Sequence, residues 1–327
     1  MIFPNNTPII IPCYNRPEFL ERCLGSLSKC NNIDEFSIYF VFDKKGLDSD
    51  EGNKVLNICN SWNKCKSDLL INENVWHGSL NSTGSICLMM NKLNYSKGGF
   101  IYIEEDIIVG KDYLNFCIDA LNFYKDNKHI MMISGNNFKH NKNQYNDIEF
   151  PTTCSLNQIC TCAILWGMCS WWDRWQWIDE KLEEFCRDPS TIKEELFSKT
   201  ILPEINEPYL RPDGTMRDYA GSGLGSGIFS GGKILYGHDS LAGERLIAAN
   251  MLINGSLCLY PDYSLTDHIG WYGWHVPKEF DESSEKYPFG AAESFHIDNK
   301  YNNDFPIITK ECVAKSFSVD IDGIKFK

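Results

Sequence analysis

The sequence contains no Cys-x-x-Cys pair, although it holds 14 cysteines in 327 residues. Cys160 and Cys162 bracket Thr161 without a matching second pair or a nearby histidine. A zinc site of the usual spacing is therefore not expected, and the thiols read as small buried hydrophobes in a reducing compartment. Long apolar runs are also missing: none approaches the roughly 18–20 residues that a membrane-spanning helix needs. Positive charge is scarce, 31 Lys and Arg against 44 Asp and Glu for a formal net charge of -13. That balance argues against a general nucleic-acid binder, which needs clustered cations for the phosphates. The opening Met1-Ile2-Phe3-Pro4 runs straight toward a strand with no secretory signal pattern. A cytoplasmic protein is expected, with peripheral association with a membrane left open. The glycine-rich stretch Gly221-Ser222-Gly223-Leu224-Gly225-Ser226-Gly227 lacks the Lys-Ser/Thr of a P-loop and follows no clear strand, so it reads as a loop or lid.

What is present is an unusual run of acids. Phe100-Ile101-Tyr102-Ile103 has the composition of a buried strand, and Glu104-Glu105-Asp106 follows at its carboxyl end before Ile107-Ile108-Val109. Burying three like charges is costly unless cations or hydrogen bonds compensate. Hard oxygen ligands at an open strand end suit Mg²⁺ or Mn²⁺ held partly by a substrate's phosphates. A solvated acidic turn is the plain alternative on this segment alone.

The rest of the first half alternates strand and helix. Apolar strands are expected at 9–11, 36–42, 69–71, 100–103 and 129–134, with helices at 19–27, 50–62, 86–93 and 113–124. Such alternation with short connections indicates an α/β fold, a mostly parallel sheet flanked by helices. Ligands bind outside the carboxyl ends of the strands in such sheets. Arg16, Asp43 and Glu104 to Asp106 all follow strands, so the pattern puts them on one rim. The second half is less regular, with a strand and turn over 160–169, helices over 171–185 and 240–254, and a strand over 257–260. No linker forces a division. A single domain over 1–327 is expected, with a nucleotide-binding half (7–135), an acceptor half (150–276) and a tail (277–327) packing on it.

Three segments in this order carry a family resemblance: Thr7 to Pro17, Phe100 to Leu114, and Trp166-Gly167-Met168-Cys169-Ser170-Trp171-Trp172-Asp173-Arg174-Trp175. Together they resemble the GT-A-fold nucleotide-sugar glycosyltransferases, in particular the bacterial sugar transferases with a Trp-Gly-Trp-Ala-Thr-Trp motif. The spacing is also similar to that of N-acetylglucosaminyltransferase I. The resemblance implies a Rossmann-like GT-A sheet and an irregular C-terminal acceptor region. It implies that the opening turn, Pro12, Asn15 and Arg16, holds the nucleotide together with Asp43. A guanidinium can pair with phosphate oxygens, and a carboxylate can accept from a uracil N–H. Glu104 would lie near the donor sugar, Glu105 near the ribose, and Asp106 would ligate the metal. Glu105 departs from the Asp usual at the middle place, which puts the ribose contact in doubt.

By the same resemblance Trp166 and Gly167 border the donor. Of the other tryptophans, Trp171 and Trp175 read as one core-facing helical stripe, while Trp172 could stack on a sugar or pack in the core. Asp239, in Gly237-His238-Asp239-Ser240, matches the position of the family's catalytic base, and Glu244 one turn later is the reserve. An N-cap aspartate would look the same. His275 is the expected C-terminal metal ligand, with His268 the other candidate in the same segment.

The function these residues suggest is metal-dependent transfer of a sugar from a nucleotide diphosphate donor, a UDP-sugar, to a hydroxyl acceptor on a glycan or other molecule, with inversion. Two alternatives stand beside it. A sugar nucleotidyltransferase has a similar sheet but opens with a Gly-rich basic loop that Pro12 to Arg16 lacks. A non-catalytic glycan-binding protein on a transferase scaffold would not need the acidic triplet.

Overall fold

The computed structural model describes residues 1–73, 79–93, 98–136, 159–160, 165–187, 200–201, 243–261, 264–270, 305, 307–308 and 325–326. Strand β1 (Pro8–Cys13) is followed by α1 (Pro17–Leu27), β2 (Ser37–Asp43), α2 (Asp50–Ser61), β3 (Lys66–Asn72) and α3 (Ser79–Leu93). Next come β4 (Gly99–Tyr102), β5 (Ile107–Val109), α4 (Tyr113–Tyr124) and β6 (Ile130–Ser134). Beyond these are β7 (Ile159–Cys160), β8 (Met168–Trp171), α5 (Trp172–Arg187), β9 (Thr200–Ile201), α6 (Gly243–Asn254), β10 (Leu257–Leu259), β11 (Thr266–His268) and β12 (Lys325–Phe326).

The main sheet has eight strands in the order β3-β2-β1-β4-β8-β6-β10-β7. β3, β2, β1 and β4 pair in parallel, as do β6 and β10. β8 runs antiparallel between β4 and β6, and β7 antiparallel against β10. This is the mostly parallel α/β sheet expected from the alternation. Ile9, Ile10 and Ile11 are wholly buried, as a central parallel strand covered on both faces requires. Helix α1 opens with Pro17 at its first position, where the missing N–H costs nothing. Phe19, Leu20, Cys23, Leu24 and Leu27 form its buried stripe.

Three expectations are corrected. Helix α3 begins at Ser79, a turn or more before the apolar stretch at residue 86. The polar Ser and Asn of its first half have weak helical propensity, but Thr83 and Ser85 are buried all the same. Trp171 closes strand β8 rather than opening a helix, so it and Trp175 do not share a helical face. Its indole donates to the Leu121 carbonyl at 3.2 Å, while Trp175 donates to Ser170 Oγ at 2.9 Å. Trp172 is fully buried against Phe100, ring centroids 4.4 Å apart. It is a core residue and is not placed to stack on a sugar. Among the described residues no helix is long and apolar enough to cross a membrane.

A candidate metal and nucleotide site at the sheet edge

β1 and β4 lie side by side, and the chain leaving each at its carboxyl end supplies the site. The turn after β1 places Tyr14 and Arg16 opposite the acids that follow β4. The Tyr14 backbone N–H donates to Glu105 Oε2 at 3.0 Å. Arg16 Nε donates to Glu105 Oε1 and its Nη1 to Asp106 Oδ2, each at 2.7 Å. Glu105 and Asp106 are almost wholly buried, whereas the Arg16 side chain keeps 19% exposure. Two buried carboxylates are thus compensated by charge-assisted bonds from one guanidinium, the kind of pairing that burial demands.

A histidine arrives from far downstream. β11 pairs antiparallel with β5, setting His268 opposite Ile107. The Ile269 N–H donates to the Asp106 carbonyl at 2.9 Å, and His268 Nε2 lies 3.4 Å from Asp106 Oδ2. Burial alone would raise the Asp106 carboxyl, but Arg16 and His268 outweigh it and hold the group well below the usual carboxylate range. Burial would lower His268, yet Asp106 outweighs that and raises it above its ordinary value. At Glu105 burial dominates and pushes the carboxyl up, against the pull of Arg16 and the Tyr14 N–H. The neighbouring Asp267, also buried, is pushed up to about 7 by desolvation.

The surrounding backbone is closely fitted. Trp166 stacks on His268 with ring centroids 4.7 Å apart and planes at 19°. Thr266 Oγ1 donates to the Trp166 carbonyl at 2.7 Å. Gly167 has φ +71, in the left-handed region, and a Cβ there would lie 2.6 Å from Thr266 Cγ2. At Gly270 an added Cβ would fall 2.1 Å from Asp106 Oδ2, so only glycine lets this backbone pass so close. Glu104 has partners of its own: its Oε1 accepts from Ser82 Oγ at 3.0 Å and from the Tyr102 hydroxyl at 3.2 Å.

The residues expected from sequence are distributed as follows. Arg16, Glu105 and Asp106 meet directly, and Glu104 and Trp166 stand beside them. Pro12 lies within β1 and Asn15 in the turn after it. Asp43 ends β2, buried, and caps the following turn by accepting from the Lys45 N–H at 3.0 Å. Asp239 and His275 lie outside the described residues, as does the Gly221 to Gly227 stretch. Glu244 falls in α6, but its side chain is likewise outside what is described. His268, the other candidate histidine, is brought to Asp106. Sequence reasoning missed Ser82, Tyr102 and Gly270. The serine was hidden by the late helix start, and Gly270 had only its place two residues after a candidate histidine as a signal.

The donor set fits a divalent cation shared with phosphates. Asp106 Oδ1 is buried with no hydrogen-bond partner among the described residues, an arrangement that is costly for a carboxylate oxygen left alone. His268 Nε2 lies 3.4 Å from the other oxygen of the same carboxylate, Oδ2. Among the described residues no group of three or more His, Cys, Asp or Glu could hold a metal ion. What the described residues offer is one or two protein ligands, to be completed by phosphate and water.

The fold is α/β: a mostly parallel sheet flanked by helices, with the acids at the carboxyl end of a central strand. Among solved structures the chain is similar to the mannosyltransferase PcManGT from Pyrobaculum calidifontis in complex with GDP-Man and Mn²⁺, at 12% identity and a TM-score of 0.36, over 55% of this chain and 46% of that one. It is also similar to S. aureus TarS 1-349, at 20% identity and a TM-score of 0.28, over 39% of this chain and 34% of that one. The chain thus spans less than half the length of either. No protein-family model matches the chain, and no curated protein matches it in sequence.

Proposed function

We propose that this protein is a metal-dependent glycosyltransferase that moves a sugar from a nucleotide diphosphate donor, a UDP-sugar, to an acceptor hydroxyl with inversion. The observation that carries this reading is Asp106, at the carboxyl end of the strand next to β1: its buried Oδ1 has no hydrogen-bond partner among the described residues, and its Oδ2 lies 3.4 Å from His268 Nε2. Asp106 and His268 would hold Mn²⁺ or Mg²⁺. A divalent cation there would neutralise charge on the diphosphate leaving group.

The chain's own residues do the rest. Pro12, Asn15, Arg16 and Asp43 line the nucleotide side of the sheet edge, and Arg16 adds a guanidinium for diphosphate oxygens. Glu104, oriented by Ser82 and Tyr102, faces the donor sugar, with Trp166 and Gly167 bordering it. Glu105 anchors Arg16 and lies toward the ribose. In the transfer the acceptor oxygen bonds to the anomeric carbon while the bond from that carbon to the phosphate oxygen breaks. The nucleoside diphosphate leaves with the electron pair. Asp239 takes the acceptor proton as general base, with Glu244 the reserve and His275 a further candidate ligand.

A screen of nucleotide sugars for donor hydrolysis, with Mn²⁺ and with chelator, tests this reading. Hydrolysis of a UDP-sugar that stops with chelator and returns with Mn²⁺ is expected. No hydrolysis and no metal-dependent binding of any nucleotide diphosphate would overturn it in favour of a non-catalytic scaffold.

A further inference from the structure

The geometry points to Arg16 as a placeholder for the metal, released to the donor diphosphate only when cation and donor arrive together; this rests on the metal-dependent reading above. In the structure the Arg16 guanidinium bridges the two buried acids, with Nε on Glu105 and Nη1 on Asp106, both at 2.7 Å. The oxygen it holds, Asp106 Oδ2, is also the one nearest His268 Nε2, at 3.4 Å. One oxygen of the carboxylate therefore faces both the guanidinium and the imidazole, while its other oxygen, buried, has no partner among the described residues.

A dication on Asp106 would stand next to the guanidinium, and like charges at that separation in a buried site repel strongly. Binding of the metal by itself is thus opposed by the group already present. A nucleoside diphosphate changes the balance, because its oxygens accept from Arg16 and coordinate the cation at once. The Arg16 side chain keeps 19% exposure and belongs to the N-terminal cap of α1, so it is open to solvent where a diphosphate would approach. Glu105, bonded to Nε and to the Tyr14 N–H, keeps the arginine tethered at the rim when Nη1 lets go. The consequence is positive coupling: each ligand tightens the other by the same factor.

Free Mn²⁺ measured by electron paramagnetic resonance, with and without UDP and corrected for the ion's own affinity for UDP, tests the inference. The wild type is expected to bind Mn²⁺ weakly alone and at least about tenfold tighter with UDP, within the usual range of coupling. Arg16→Gln should bind Mn²⁺ alone about tenfold tighter than the wild type and lose most of the coupling. If Arg16→Gln takes up Mn²⁺ alone no better while UDP-dependent uptake persists, the placeholder is wrong and the metal-dependent reading stands. If neither protein takes up Mn²⁺ under any condition, both fall. Should Arg16→Gln fail to fold, Arg16→Lys keeps the charge but cannot bridge both carboxylates. It should show a smaller gain in Mn²⁺ affinity, and no gain there overturns the proposal.

Discussion

The Trp166 indole lies stacked on the His268 imidazole, 4.7 Å between centroids, and so fixes the ring whose Nε2 faces Asp106. Trp166 is thus a positioning residue for the histidine. Trp166→Ala should lower Mn²⁺ affinity in the presence of UDP by about 10- to 100-fold, the usual effect of losing support behind a ligand. Trp166→Phe, which preserves a stacking face, should retain most of it. Equal loss in both variants would show that the stack is only packing.

Gly270 is the point of closest backbone approach to the acids. Gly270→Ala would place its Cβ 2.1 Å from Asp106 Oδ2 and 2.8 Å from its Cγ. Asp106 is short and pinned by Arg16, so it cannot move aside cheaply. Destabilisation of about 1–3 kcal/mol is expected, with loss of Mn²⁺ uptake, read by urea unfolding and metal titration. Unchanged metal affinity would mean that the loop after β11 yields instead.

The metal-free protein should show a definite pH signature. The depressed Asp106 contributes stability that is present above its unfolded value of about 3.9 and lost as pH falls through the lower folded value. The raised His268 contributes stability that is full below its unfolded value of about 6.5 and lost as pH rises through the higher folded value. The stability difference between wild type and Asp106→Asn, measured by urea unfolding in chelator, should therefore be largest from about pH 4 to 6.5 and narrow on both sides. A difference that did not narrow as pH rose above about 6.5 would separate Asp106 from His268 energetically.

Asp267 should behave in the opposite sense to Asp106. Its folded-state value, about 7, exceeds that of an unfolded aspartate, so the folded protein binds the extra proton. Stability is lost as pH rises through the interval from about 4 to 7. Asp267→Asn should then be more stable than the wild type at pH 8 by about 2–4 kcal/mol, and equal to it near pH 4. Thermal melts at the two pH values decide this; a variant less stable at pH 8 would show that the charged carboxylate has a compensating partner.

Local pattern was enough for the elements that build the sheet and for the acids on its rim. Ile9-Ile10-Ile11 can only be a strand covered on both faces, and Phe19 to Leu27 only an amphipathic helix. An apolar run ending in Glu104-Glu105-Asp106 places charges at a strand's carboxyl end, because side-chain period and burial are properties of neighbouring residues. Which charges meet is not such a property. The antiparallel pairing of β11 with β5 brings His268 to Asp106, and the turn after β1 lays Arg16 across Glu105 and Asp106. The insertion of β8 between β4 and β6 buries Trp172 against Phe100, where the sequence left a sugar-stacking role open beside core packing. These are contacts between segments distant in sequence, set by strand order and by the need to compensate buried carboxylates, and only the tertiary structure decided them.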